Sequence, residues 1–246
     1  MSYLSQPRGR AIVVRFLVTS IILAAFPQAD LFVSGLFYAD GFPFDETWLQ
    51  RSIRVVTTAV IGISILGAGA VYLLNRLLGR SLWNIDGKRV GYLVLVLALG
   101  AGLIVNLALK DNFGRARPRD IAEFGGGRTF APAFSVSAEC HKNCSFSSGE
   151  AAAGFFPIAL AYALGRRRGV AFVAAILFGV VVSVARIAAG AHFLSDTIVS
   201  FFIMWLLADA LYYVMGLAPR EKARGLLPVG ASPSTVAATR HRAPAE

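Results

Sequence analysis

Charge is scarce in this chain of 246 residues. Asp, Glu, Lys and Arg make up 15% of it, against about a quarter in an ordinary soluble domain. That excludes an intrinsically disordered chain, which would be more polar. Cysteine is limited to Cys140 and Cys144, too few for a disulfide-stapled secreted scaffold. No internal repeat and no soluble second domain stand out. The little charge present is unbalanced, with 24 Lys and Arg against 14 Asp and Glu, a net +10. A soluble DNA-binding domain can be this basic, but not with 56% hydrophobic residues.

What the chain has instead is long apolar runs. Crossing about 30 Å of hydrocarbon takes about 20 apolar residues in a helix. Six candidates appear. They run from Ala11 to Phe26 with a continuation beyond Pro27, Val55 to Leu78, Val90 to Leu109, Ser148 to Leu164, Val170 to Ala188 and Thr197 to Leu217. The fourth is short. Their length and the lack of internal turn signals favour helices over strands. The expected fold class is all-α, a polytopic membrane protein with six transmembrane helices. Arg8, Arg10 and Arg15 ahead of the first run resemble the basic region of a signal peptide. No small-x-small cleavage site follows, and five more spans do, so the run reads as a retained helix.

The basic residues also orient the helices. Arg8, Arg10 and Arg15, then Arg76, Arg80, Lys88 and Arg89, then Arg166 to Arg168, then Arg220, Lys222 and Arg224 alternate as one cytoplasmic side requires. Both termini fall on that side. The first outer loop is acidic, with Asp30, Asp40, Asp45 and Glu46. Residues 1–219 are thus expected to form the membrane domain with its external loops, and 220–246 a flexible cytoplasmic tail. Most of the net charge is a topology signal and not evidence for nucleic acid.

One outer segment breaks the pattern. Between Lys110 and Ser147 lie Lys110, Arg115, Arg117, Arg119, Arg128 and Lys142. A solvated basic loop is the plain explanation. However, Lys110 and Arg117 are two helical turns apart, so one helix can aim both at one point. Pro118 disfavours helix immediately before it. A Lys and an Arg converging at a membrane surface make a phosphate site. In the next outer turn, His192 and Asp196 are one helical turn apart, with Arg186 just before them. An Asp at that spacing can accept the proton of one imidazole nitrogen and leave the other as a nucleophile. The alternative is a structural Arg–Asp pair beside an interfacial His. Ser147 or Ser148 can cap the fourth helix, with Glu150 in its first turn. The free N–H groups of that turn form an anion site.

Together these segments resemble the type 2 phosphatidic acid phosphatase (PAP2) superfamily in its integral-membrane form. Its first motif, Lys, six residues, Arg-Pro, is matched by Lys110 to Pro118. Its second, Pro-Ser-Gly-His, is answered by Ser147-Ser148-Gly149-Glu150, which differs at two positions. Its third, Ser-Arg, five residues, His, three residues, Asp, is met by Arg186, His192 and Asp196, with Ala185 replacing the Ser. The resemblance implies a PAP2-like helical bundle and a phosphoric monoester or diphosphate hydrolase. It makes His192 the nucleophile and Asp196 its orienting partner. It places Lys110, Arg117, Arg186, Ser148 and Gly149 on the phosphate, and needs no metal or other cofactor. Cys140-His141-Cys144 is a weak metal site without a fourth ligand; a Cys140–Cys144 disulfide suits an oxidising outer face. Glu150 stands where the family has its His general acid. Glu150 acting as acid, His141 replacing it, or a leaving group that needs little protonation are the open alternatives. The form from Asn143 to Glu150 resembles a bacterial subgroup that includes lipid A 4'-phosphatase-like proteins. This implies a phosphorylated glycolipid as substrate, at the periplasmic face of a bacterial inner membrane. Phosphate transfer to a second lipid, and a non-catalytic anion-binding protein or transporter, are the rival functions.

Overall fold

The structure is a computed structural model that describes residues 3–110, 112–165 and 168–218. The tail expected over 220–246 lies outside the described residues. All regular elements among the described residues are helices.

α1 (Pro7–Ala25) starts on Pro7, where a missing N–H costs nothing. It stops before Pro27, and α2 (Gln28–Gly35) leaves at 80° to it. The continuation beyond Pro27 is therefore a separate helix lying across the first. α3 (Trp48–Leu78) begins seven residues before the apolar run expected from Val55. Thr47 caps it by accepting from Gln50 N, and it ends at Gly79 in the left-handed region. This early start brings Arg51 and Arg54 onto a helix. α4 (Gly87–Val96) is capped by Asp86 and continues as a π-helix through Leu97–Leu109. α5 (Gly149–Phe155) and α6 (Pro157–Leu164) are two halves of one apolar stretch, interrupted at Pro157. α7 (Arg168–Ala188) and α8 (Leu194–Val214) complete the chain.

Four of these helices are long and apolar enough to cross a membrane, or five if the bent α1–α2 pair counts as one span. Length and composition therefore support a multi-pass membrane protein without reaching six. The stretch Gly149–Leu164 covers only about 24 Å at 1.5 Å per residue. Its burial explains how so short a helix is held. Ala151, Ala152, Phe156, Ile158, Ala159 and Tyr162 are fully enclosed by the surrounding helices. Small residues let those neighbours close in. A Cβ on Gly179 of α7 would stand 2.1 Å from the Phe155 ring, and one on Gly154 would stand 2.9 Å from Val182. The outer helices expose Ile63, Leu66, Leu77 and Leu177, as a lipid-facing surface requires.

The C-terminal end of α8 is tied into the bundle at Asp209, a charge within the sixth apolar run. Arg8 Nε lies 2.8 Å from its Oδ1. Tyr3 Oη donates to Oδ2 at 2.9 Å and Tyr162 Oη to Oδ1 at 2.7 Å. Arg8 also donates to Tyr162 Oη. One carboxylate thus joins the N-terminal segment, α1, α6 and α8. Asp209→Ala strands a buried tyrosine hydroxyl, and we expect a loss of about 2 kcal/mol, discounted because Arg8 is half-exposed. Thermal unfolding in detergent measures it; an unchanged midpoint would contradict this role.

Candidate active site

The site is built on the turn joining α7 to α8. The chain reverses at Gly190, whose φ of +59° and a Cβ that would fall 2.4 Å from the Phe42 ring both demand glycine. His192 follows, 2% exposed. Its Nδ1 lies 2.8 Å from the carbonyl oxygen of Ser145. A carbonyl only accepts, so Nδ1 carries the hydrogen and Nε2 keeps its lone pair. The direct His192–Asp196 hydrogen bond expected from their spacing is absent, because Asp196 Oδ2 stands 3.6 Å from Nδ1. The carboxylate acts one step removed. It accepts from Ser145 Oγ and, at 2.8 Å, from Phe193 N. Asp196 therefore holds the residue that holds the imidazole. Burial lowers the His192 pKa from 6.5 to about 4; the Asp196 carboxylate opposes the shift, and Lys110 and Arg186 reinforce it.

Beneath this turn lies Arg115, only 1% exposed. Its Nη1 donates to Asp196 Oδ1 at 2.6 Å and to Ser195 Oγ at 2.9 Å. Its Nη2 donates to Asp30 Oδ2 at 2.7 Å and its Nε to Ala131 O at 2.8 Å. The guanidinium sits 4.1 Å over the Phe193 ring. Asp30 also accepts from Ser195 N at 2.8 Å and Ser195 Oγ at 2.6 Å. Asp30, read from sequence as an outer-loop charge, is thus a buried partner, 2% exposed on α2. Arg115, read as one of several loop cations, is the hub.

Above His192 opens a cavity of about 450 Å³. It is lined by Lys110, Arg117, Glu150, Arg186 and His192, together with Asp45, Glu46, Arg51, Arg54, Arg119 and Asn143. The first five are sequence-predicted site residues from three separate segments. Lys110 follows the end of the π-helical stretch. Arg117 does not share its helix, as the spacing had implied. The chain turns at Gly114, and Arg117 is extended before Pro118. Convergence comes from a reversal of the chain. Arg117 Nη2 donates to Asn143 O at 2.8 Å, and burial is the main cause that lowers its pKa. Arg186 Nη1 donates to Gln50 Oε1 at 3.1 Å, and its Nε lies 3.2 Å from Glu150 Oε2 without hydrogen-bond alignment. Glu150 Oε1 in turn lies 3.9 Å from Arg54. Arg119 is paired with Asp45 at 2.6 Å.

Ser148 and Gly149 are not among the cavity walls. Ser148 caps α5 by accepting from Ala151 N at 3.2 Å. A Cβ on Gly149 would fall 2.3 Å from Asn106 Oδ1, so the glycine serves packing. Cys140 and Cys144 form a disulfide in the segment leading to Ser145. His141 does not line this cavity; it lines a neighbouring hollow with Arg128, Glu139 and Lys142, and Arg119 borders both. Sequence reasoning missed Arg51, Arg54, Arg115 and Asn143. For the first two a signal existed: two arginines one turn apart next to a loop that the charge pattern reads as external, where the positive-inside rule supplies no reason.

The model of the PAP2 superfamily matches residues 91–220, just over half of the chain. The chain belongs to the PAP2 superfamily. The protein is a phosphatase, and the matched span contains Lys110, Arg117, Glu150, Arg186 and His192, which line the cavity, and Asp196, which lies behind it. A lipid A 4'-phosphatase of Francisella tularensis subsp. novicida is 30% identical over 207 residues, covering 79% of this chain and 90% of that protein. A lipid A 4'-phosphatase of Rhizobium leguminosarum is 31% identical over 205 residues, covering 72% and 83%. The fold is similar to that of a crystal structure of a transmembrane PAP2-type phosphatidylglycerolphosphate phosphatase from Bacillus subtilis, with a TM-score of 0.58 and 18% identity over 87% of this chain and 99% of that one.

Two outcomes are expected. Asp30→Ala leaves buried Arg115 with one carboxylate, which should cost about 3 kcal/mol and lower the thermal midpoint; a wild-type midpoint would refute the hub. For His192, a pKa reduced on folding means the folded state binds its proton more weakly than the unfolded chain. Stability therefore falls as pH drops between 6.5 and about 4, and this group contributes no slope above that window. Activity that requires neutral His192 should persist at pH 6 and be lost near pH 4. A kcat/KM profile whose acid limb sits near 6.5 would contradict the buried, neutral imidazole.

Proposed function

We propose that the protein hydrolyses a phosphomonoester or diphosphate of a membrane lipid through a phosphohistidine on Nε2 of His192. The observation that carries this reading is the Nδ1 contact with Ser145 O, which leaves a neutral imidazole with its lone pair on the other nitrogen, at a cavity rich in cations. Lys110, Arg117 and Arg186 hold the non-bridging oxygens and offset their charge as phosphorus is attacked. The Nε2–P bond forms, the P–O bond to the lipid breaks, and the lipid oxygen leaves with a proton. Water then attacks phosphorus, the P–N bond breaks, and inorganic phosphate is released. Glu150 lies at the cavity wall, 3.2 Å from Arg186 and 3.9 Å from Arg54. It is therefore suited to accept the proton of that attacking water, with the leaving oxygen protonated from solvent in the open cavity. The cradle is one of cations, without Ser148 or Gly149.

The relatives named lipid A 4'-phosphatase support a phosphorylated glycolipid of that type as substrate. In this reading α5 and α6 together form the fourth of six crossings, kept short by their sheath of helices. The α7–α8 turn faces the periplasm of a bacterial inner membrane, and the Arg8–Asp209 end faces the cytoplasm with both termini. Lys110, Arg186 and His192 all lie at helix ends and not at midplane, which favours surface chemistry over transport.

Purified protein should release inorganic phosphate from a lipid A-type phosphate with chelator present, and His192→Ala should lower the rate at least about a thousandfold. Acid-labile labelled phosphate should be trapped on the wild type and not on the variant. Near-normal turnover in His192→Ala would overturn the mechanism. Label passing to a second lipid in place of water would assign phosphotransfer instead.

A further inference from the structure

The cavity holds more positive charge than one phosphate requires. Six cations line it against three carboxylates, with His192 neutral. Lys110, Arg117 and Arg186 account for the scissile phosphate. Of the others, Arg119 is matched by Asp45 at 2.6 Å. Arg51 and Arg54 remain, both on the first two turns of α3, outside the segment that matches the superfamily model.

Their positions form a gradient from floor to mouth. His192 and Arg186 are 2% and 5% exposed. Glu150 bridges from Arg186 at 3.2 Å to Arg54 at 3.9 Å, and both bridging partners beyond Arg186 are half-buried or more exposed. Arg51 lies one turn nearer the start of α3, about 4.5 Å along the helix axis, and is exposed. The Glu150 carboxylate is already shared with Arg186 and makes only the long contact with Arg54. Glu46 is the remaining carboxylate that faces this region.

We propose that Arg51 and Arg54 form a second anion subsite, which binds a further acidic group on the same lipid headgroup while its scissile phosphate rests on His192. The ligand chemistry is a phosphate or carboxylate substituent set apart from the scissile phosphate. Arginine suits both, because its planar fork can grip either oxyanion through two parallel bonds. The subsite rests on the phosphatase reading above and refines it. It selects a doubly acidic headgroup over a singly phosphorylated one.

The test compares three glycolipids that share acyl chains: one with the scissile phosphate alone, one with a second phosphate at a separate position, and one with a carboxylate there. Each is assayed with wild type, Arg51→Ala, Arg51→Lys and Arg51→Glu in detergent micelles. The wild type should show a lower KM for at least one doubly acidic lipid, and which one identifies the second group. Arg51→Ala should raise that KM about tenfold, the size expected for one charge-assisted contact, and change the singly phosphorylated lipid less than twofold. Arg51→Lys should restore most of the loss, and Arg51→Glu should exceed it. Equal KM values for all three lipids with the wild type would overturn the subsite while leaving the phosphatase reading intact. An equal loss on all three lipids in Arg51→Ala would do the same, by showing general electrostatic steering. Absence of hydrolysis of every lipid by the wild type would instead count against the phosphatase reading itself.

Discussion

The site depends on one buried guanidinium. Arg115 binds Asp196 at 2.6 Å and Asp30 at 2.7 Å, and so ties the α7–α8 turn to α2 and to its own outer segment. A charge without water needs such partners, and their bonds in turn fix geometry tightly. Asp196 is thereby held to accept from Ser145, and the Ser145 carbonyl is held against His192 Nδ1. The tautomer of the imidazole is set at the end of this chain of contacts. A third carboxylate, Asp209, does comparable work at the opposite end of α8.

Reactivity follows from the contrast between the floor and the walls of the cavity. Below, burial keeps His192 neutral, with the Nε2 lone pair that the proposed reaction needs. Above, cations from three parts of the chain face the space where phosphoryl oxygens would lie. Small residues at the crossing of α5 and α7 bring those helices together, and Glu150 in the first turn of α5 meets Arg186 in the last turn of α7 as a result.

Much of this was legible in the residues. The apolar runs located α3, α4, α7 and α8, because a helix in lipid must be long and apolar. The motif spacings picked out Lys110, Arg117, Glu150, Arg186 and His192, which share one cavity. Other inferences failed where a local rule met a tertiary fact. Asp30 looked like a topology charge because sequence cannot show that α2 folds back at 80° onto the outer segment. The seven-residue spacing of Lys110 and Arg117 suggested one helix, whereas a turn at Gly114 brings them together. Ser148 caps α5, as its place at the start of the fourth apolar run led one to expect, and does not line the cavity.

By itself the sequence determined the class of molecule and the chemical inventory: apolar helices, a cluster of cations between them, and a histidine preceded by an arginine. Those properties are local, since hydropathy and motif spacing are read along the chain. Only the tertiary structure decided which charges are partners and which are free for a substrate. Arg115 and Asp30 are 85 positions apart, and His192 is oriented by a carbonyl 47 positions away. Such pairings depend on which faces the packed helices turn toward one another, and no local pattern carries that information.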